Sequence, residues 1–268
     1  MSDFNPLTES PPKEIPLENA PLVRVIAQVR FPPILSIEKQ DFVGAFQEAI
    51  RGIYPVLLPE QTQGFAFGSQ GIVQIPPQIT WRFMDKTDVW SWRVSLASNF
   101  VALETTNYLS RSDFLTRLEN ILVALEENGI KPLSVERFGL RYIDRIIEPN
   151  LEDLSSLVKP EVSGMMSASF SDKIHQTISE SLFNLPDRSE QIAARWGLIP
   201  ANGTFDPSAI DPIEKPSWIL DLDMSLEENR DFNVETLIKE GQYYAERLYT
   251  FFRWAVKDDF LIRFGGNL

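Results

Sequence analysis

Hydrophobic and polar positions alternate most clearly along Val135–Ile147, VERFGLRYIDRII. Read as a strand, it points Phe138, Leu140, Tyr142 and Ile146 one way and Arg137, Arg141 and Arg145 the other. Residues Val23, Val25, Ala27, Val29 and Phe31 alternate with Arg24, Ile26, Gln28 and Arg30 in an earlier strand that Pro32-Pro33 stops. Phe42, Phe46, Ala49, Ile50 and Ile53 then recur at helical spacing, with Asp41 as the expected N-cap. A meander follows, with short strands at 64–69 and 71–75 and stronger ones at Ile79–Met84 and Val89–Ala97. Phe100–Tyr108 adds another strand. A helix opens at Ser112, carries the stripe Phe114, Leu118, Ile121, Leu122 and Leu125, and ends at Gly129.

The same order then begins again. The arginine strand is followed by a short helix over Leu151–Val158 and strands over Ile174–Asn184, Gln191–Ile199 and Trp218–Ser225. A long helix spans Asn233–Val256. Residues 201–217, punctuated by prolines, read as a long loop, and 159–173 fit no element. Four prolines and few apolar residues make 1–18 a flexible lead-in. The expected organisation is that lead-in, then a first half over 19–132 and a second over 133–268, each β-α-(β)n-α. The fold class is α+β: two pseudo-repeated halves forming curved antiparallel sheets with helices on one face. This is an analogy with TATA-box-binding-protein-like or helix-grip architectures, and such an analogy does not give function.

Composition narrows the chemistry. The 268 residues carry 25 basic and 38 acidic side chains, a net charge of −13. That balance speaks against general nucleic-acid binding, which draws on Lys and Arg to neutralise phosphates. With no cysteine, disulfides, thiolate metal sites and cysteine nucleophiles are excluded, and a single histidine, His175, leaves no multi-histidine metal site. No apolar run is long enough for a membrane span and the N-terminus is polar, so the expected location is the cytoplasm. No phosphate loop or dinucleotide fingerprint occurs, and no cofactor is expected.

If helices cover the Trp/Phe/Leu/Val face of the sheet, the other face carries Arg24, Arg30, Arg82, Arg93, Arg137, Arg141 and Arg145. The plain structural account is a cross-strand charge ladder with Asp and Glu. The functional account is a basic pocket for a phosphate- or carboxylate-bearing ligand, formed by Arg137, Arg141 and Arg145 with Arg30 and Glu104, because the guanidinium fork pairs bidentately with such groups. A protein interface is the third. Asp221 and Asp223 share one strand face and are weak candidates for a metal, lacking a third ligand.

Asn19-Ala20-Pro21-Leu22, Val29-Arg30-Phe31-Pro32-Pro33 and Glu136-Arg137-Phe138-Gly139-Leu140-Arg141-Tyr142 carry a resemblance over nearly the whole chain. The chain resembles a sporadically distributed prokaryotic family of roughly this length with no established activity. Trp81, Trp92, Leu103-Glu104-Thr105, Tyr108 and Phe114 belong to the same resemblance. In that family the position of Asp144 is often Asn, which implies that an ion pair there is not general. The family's patchy distribution suits mobile defence or toxin–antitoxin cassettes, and the resemblance carries over no catalytic residue. The leading expectation is a non-catalytic binding or regulatory protein with a protein partner, with room for a homodimer. A small-anion or nucleotide sensor is the alternative, and a metal-dependent hydrolase at Asp221 and Asp223 a further one.

Overall fold

The computed structural model describes residues 4–68, 71–186 and 188–268. The chain is α+β, with nine strands in one antiparallel sheet and six helices among the described residues. The strands are β1 (Leu22–Arg30), β2 (Val56–Gly68), β3 (Gly71–Met84), β4 (Trp92–Ala97), β5 (Phe100–Thr105), β6 (Ser134–Ile147), β7 (Thr177–Asn184), β8 (Gln191–Ile199) and β9 (Ser217–Asp231). The helices are α1 (Gln40–Ile50), α2 (Arg111–Glu127), α3 (Leu154–Leu157), α4 (Pro160–Ser163), α5 (Val234–Ala255) and α6 (Asp258–Arg263). Sheet order is β2-β3-β4-β5-β1-β6-β9-β8-β7. No helix among the described residues is long and apolar enough to cross a membrane.

Two compact units divide the chain differently from the expected halves. The first holds Met1–Val25, Leu140–Leu226 and Gln242–Leu268; the second holds Ile26–Gly139 and Glu227–Gly241. The ranges of β1, β6, β9 and α5 each run from one unit into the other.

In the second unit, the predicted apolar face is the buried one. Phe83, Val94 and Leu96 are fully buried and Trp81 and Trp92 nearly so, against α1 and α2. Phe46 of α1 meets Phe83 edge-on at 5.5 Å, and the Trp81 indole donates to the Ile37 carbonyl at 2.7 Å. That bond matters because a buried indole N–H without an acceptor is costly. Helix α1 starts after Lys39, which offers no side-chain cap; Asp41, the expected N-cap, lies inside the first turn. Helix α2 is capped by Ser110, whose Oγ accepts from the Asp113 amide at 3.1 Å. It ends before Gly129, whose positive φ of 81° suits glycine beyond a helix terminus.

The expected short strands at 64–69 and 71–75 are parts of two long partners, β2 and β3, joined in antiparallel register with an irregularity between Thr62 and Gly64. Ser69 lies outside the described residues. Strand β4 begins at Trp92 rather than Val89, which is exposed.

In the first unit, β8 has the predicted bounds, whereas β9 extends beyond Ser225 to Asp231. Residues 201–216 contain neither helix nor strand, as expected of a loop. The unassigned stretch 159–173 forms α4 and short 3-10 turns. Aromatic pairs border the core: the half-buried Phe183 of β7 tilts against the buried Phe251 of α5, and the half-buried Phe252 meets the buried Phe260 of α6 edge-on. The lead-in has little regular structure, yet it is held to α5. Arg247 donates to the Pro6 and Glu9 carbonyls at 2.9 and 2.8 Å, and the Ile15 amide donates to the Tyr249 hydroxyl at 2.8 Å.

Candidate functional site

Each unit contains an arginine–carboxylate network built on strand register. In the second unit, Arg93 of β4 stands opposite Glu104 of β5. Its Nε and Nη2 donate to the two Glu104 oxygens at 3.0 and 2.8 Å, a bidentate grip. Arg82, opposite Ser95 on the neighbouring strand pair, lies 3.7 Å from Glu104, donates to the Ser95 hydroxyl and reaches Glu60 at 3.0 Å. Glu104 is buried, and these bonds give both of its oxygens a partner.

In the first unit the corresponding arrangement crosses four neighbouring strands. Glu180 of β7 is opposite Arg195 of β8, and Arg195 is opposite Asp221 of β9. Arg195 donates to Glu180 at 2.8 Å and to Asp221 at 3.2 Å. Arg141 of β6 closes the ladder, with Nε and Nη2 on the two Asp221 oxygens at 2.7 and 2.8 Å. Asp221 is fully buried. Burial pulls the Arg141 guanidinium down, but the bonds and charge of Asp221, then Asp206, outweigh it and hold it above its ordinary value. Arg195 is also raised: burial and the nearby charge of Arg141 pull it down, and Asp221 and Glu180 outweigh them.

The loop 201–216 adds carboxylates from outside the sheet. Asp206 accepts from Arg141 Nη1 at 2.8 Å. Burial would raise its pKa, yet its bonds to Ser208 and Arg141 bring it below the usual range. Asp211 accepts from Arg24 of β1 at 2.8 Å, and the Ser208 carbonyl accepts from the same guanidinium at 3.2 Å. Arg145 donates to the Asp211 carbonyl at 2.8 Å. Burial, and the neighbouring charge of Arg24 against that of Asp211, bring Arg145 below its ordinary value.

The five residues expected to form one anion pocket are therefore distributed. Arg141 and Arg145 belong to the first unit; Arg30, Glu104 and Arg137 belong to the second. Glu104 is engaged by Arg93 and Arg82, and Arg30 is exposed. Arg137 lies 3.6 Å from the exposed Glu227 and folds back over Gly139. Asp221 gives both oxygens to arginine, and no group of three or more His, Cys, Asp or Glu among the described residues is placed to hold a metal ion.

Sequence reasoning missed Arg195, Asp206 and Asp211. The alternation of Ile192, Ala194 and Trp196 with Ala193 and Arg195 was a usable signal for the first. The paired Asp-Pro steps at 206–207 and 211–212 put acids on a long loop, but nothing local says which cations they meet. Asp144 is buried on the apolar side of β6, and burial pushes its carboxyl up to about 7. Compared with family models and with curated proteins, the chain matches none.

Proposed function

We propose that the protein is a non-catalytic binding or regulatory protein that engages an acidic segment of a protein partner through the arginines of its first unit. One observation carries the reading. Two acids bound to these arginines, Asp206 and Asp211, stand on a loop rather than in the sheet. A loop carboxylate on an arginine can be exchanged for a partner's carboxylate without dismantling the strand ladder beneath it. The Glu180–Arg195–Asp221–Arg141 ladder would then hold the guanidiniums in place while the loop acids give way.

The order β-α-(β)n-α, followed again by β-α-(β)n-α, supports an internal pseudo-repeat of the TATA-box-binding-protein-like or helix-grip kind. A place in a mobile defence or toxin–antitoxin cassette rests on the family resemblance alone.

Native mass spectrometry of the chain recovered gently from its own cells tests the binding reading. A protein-sized added mass that disappears in Arg145→Glu is the expected result. Retention of that mass in the variant, a bare chain, or turnover of a defined substrate that a single side-chain change abolishes would overturn it.

A further inference from the structure

Among the described residues, the Arg145 guanidinium is bonded to no carboxylate. It reaches the carbonyl of Asp211 at 2.8 Å, and its buried Nε meets no hydrogen-bond acceptor among the described residues. The acid that acts on it is Asp211, whose carboxylate is bonded to Arg24 instead. Two guanidiniums, from β1 and β6, thus flank one aspartate. Arg24 is 5% exposed, so its charge is held inside the site, whereas the Asp211 side chain is 71% exposed.

The Asp211 carboxylate can leave without unfolding the loop. Its neighbours Ala209 and Ile210 are buried, and the Ile210 carbonyl accepts from the Thr204 hydroxyl at 2.7 Å. The loop backbone is anchored there, and rotation of the exposed Asp211 side chain would vacate the place of its carboxylate against Arg24.

We propose that Arg24 and Arg145 form a binding site for a phosphate monoester dianion, whose position the Asp211 carboxylate occupies in this structure. The assignment rests on the reading of this arginine face as a binding surface and names the chemical group that it takes. A dianion brings two guanidiniums more charge than the single Asp211 carboxylate does. Phosphate also offers several acceptor oxygens to the two planar forks.

Titration calorimetry of the full chain with inorganic phosphate, at fixed ionic strength, tests this. Wild type is expected to bind, Arg145→Gln to bind about tenfold more weakly or worse, and Asp211→Asn to bind several-fold more tightly because the competing charge is gone. Asp211→Asn removes no buried group, so it decides the matter even if the arginine variant fails to fold. Adenosine monophosphate and O-phosphoserine, titrated in parallel, separate a nucleotide source from a phosphorylated side chain by which exceeds inorganic phosphate. Silence toward all three probes in both wild type and Asp211→Asn would overturn the site, as would binding that neither variant alters. If an Arg145-dependent partner mass appears while phosphate stays silent, the binding function stands and the phosphate site falls.

Discussion

Arg141 grips Asp221 through both Nε and Nη2, at 2.7 and 2.8 Å, although the two residues are 80 positions apart in the chain. The aspartate is fully buried and the arginine side chain is 14% exposed, so the carboxylate has no water to fall back on and the guanidinium little. The pair is therefore a condition of the fold in this unit as well as a feature of its arginine face.

Removal of one partner should be costly. Arg141→Ala leaves a fully buried carboxylate with only Arg195, at 3.2 Å, and is expected to lower unfolding free energy by about 3–5 kcal/mol in urea titration. The outer rung should matter far less. Glu180 is 58% exposed, and Glu180→Ala is expected to cost under about 1 kcal/mol. Equal losses in the two variants would show that the ladder does not differ in strength from inside to outside.

Two glycines in the strands should respond to different degrees. A Cβ at Gly139 would meet the end of the Arg137 side chain, 2.5 Å from Nη1, and a flexible guanidinium can swing aside. Gly139→Ala is expected to cost about 1 kcal/mol or less. At Gly197, with φ of 153°, a Cβ would sit 1.9 Å from the backbone oxygen of Thr177 on the paired strand. Backbone cannot step aside in the same way, so Gly197→Ala should cost about 2–4 kcal/mol. Thermal melts of the two variants give the comparison directly.

These contrasts show what the alternating pattern could and could not convey. The arginine strand, the bounds of β8 and the tryptophan face were legible, because a period of two marks one face as core. Arg93 and Glu104 were both visible as well, but their pairing required the β4–β5 register. The contacts of Asp206 and Asp211 were illegible for a different reason: a coil carries no period, and its destination is decided by tertiary packing. Helix α6 went unseen because six residues of DDFLIR are too few to display a helical stripe. The division into units was hidden because strands that cross from one unit to another carry no composition change at the crossing.

The cap of α2 offers a local test. Ser110 is the residue whose hydroxyl satisfies the Asp113 amide, so Ser110→Ala leaves that donor to water. A loss of about 1 kcal/mol is expected, and Ser110→Asp should recover most of it, since a carboxylate can also cap and suits the positive end of the helix. Chemical denaturation of the three proteins under one condition checks the order.

Asp144 should make stability fall as pH rises. Its folded pKa is about 7, raised by burial, against about 3.9 for an unfolded aspartate. Below pH 4 both states hold the proton and burial carries no electrostatic penalty. Between pH 4 and pH 7 the unfolded chain releases its proton while the folded chain keeps it, so folding loses ground steadily. Above pH 7 the loss is complete, on the order of 4 kcal/mol for a shift of about three units. Asp144→Asn removes the ionisable group while keeping the shape of the side chain. It is expected to match wild type near pH 4 and to be more stable by about 2–4 kcal/mol at pH 8. Parallel stability curves for the two proteins across that range would mean that Asp144 is ionised in the folded state, compensated by groups its burial alone does not reveal.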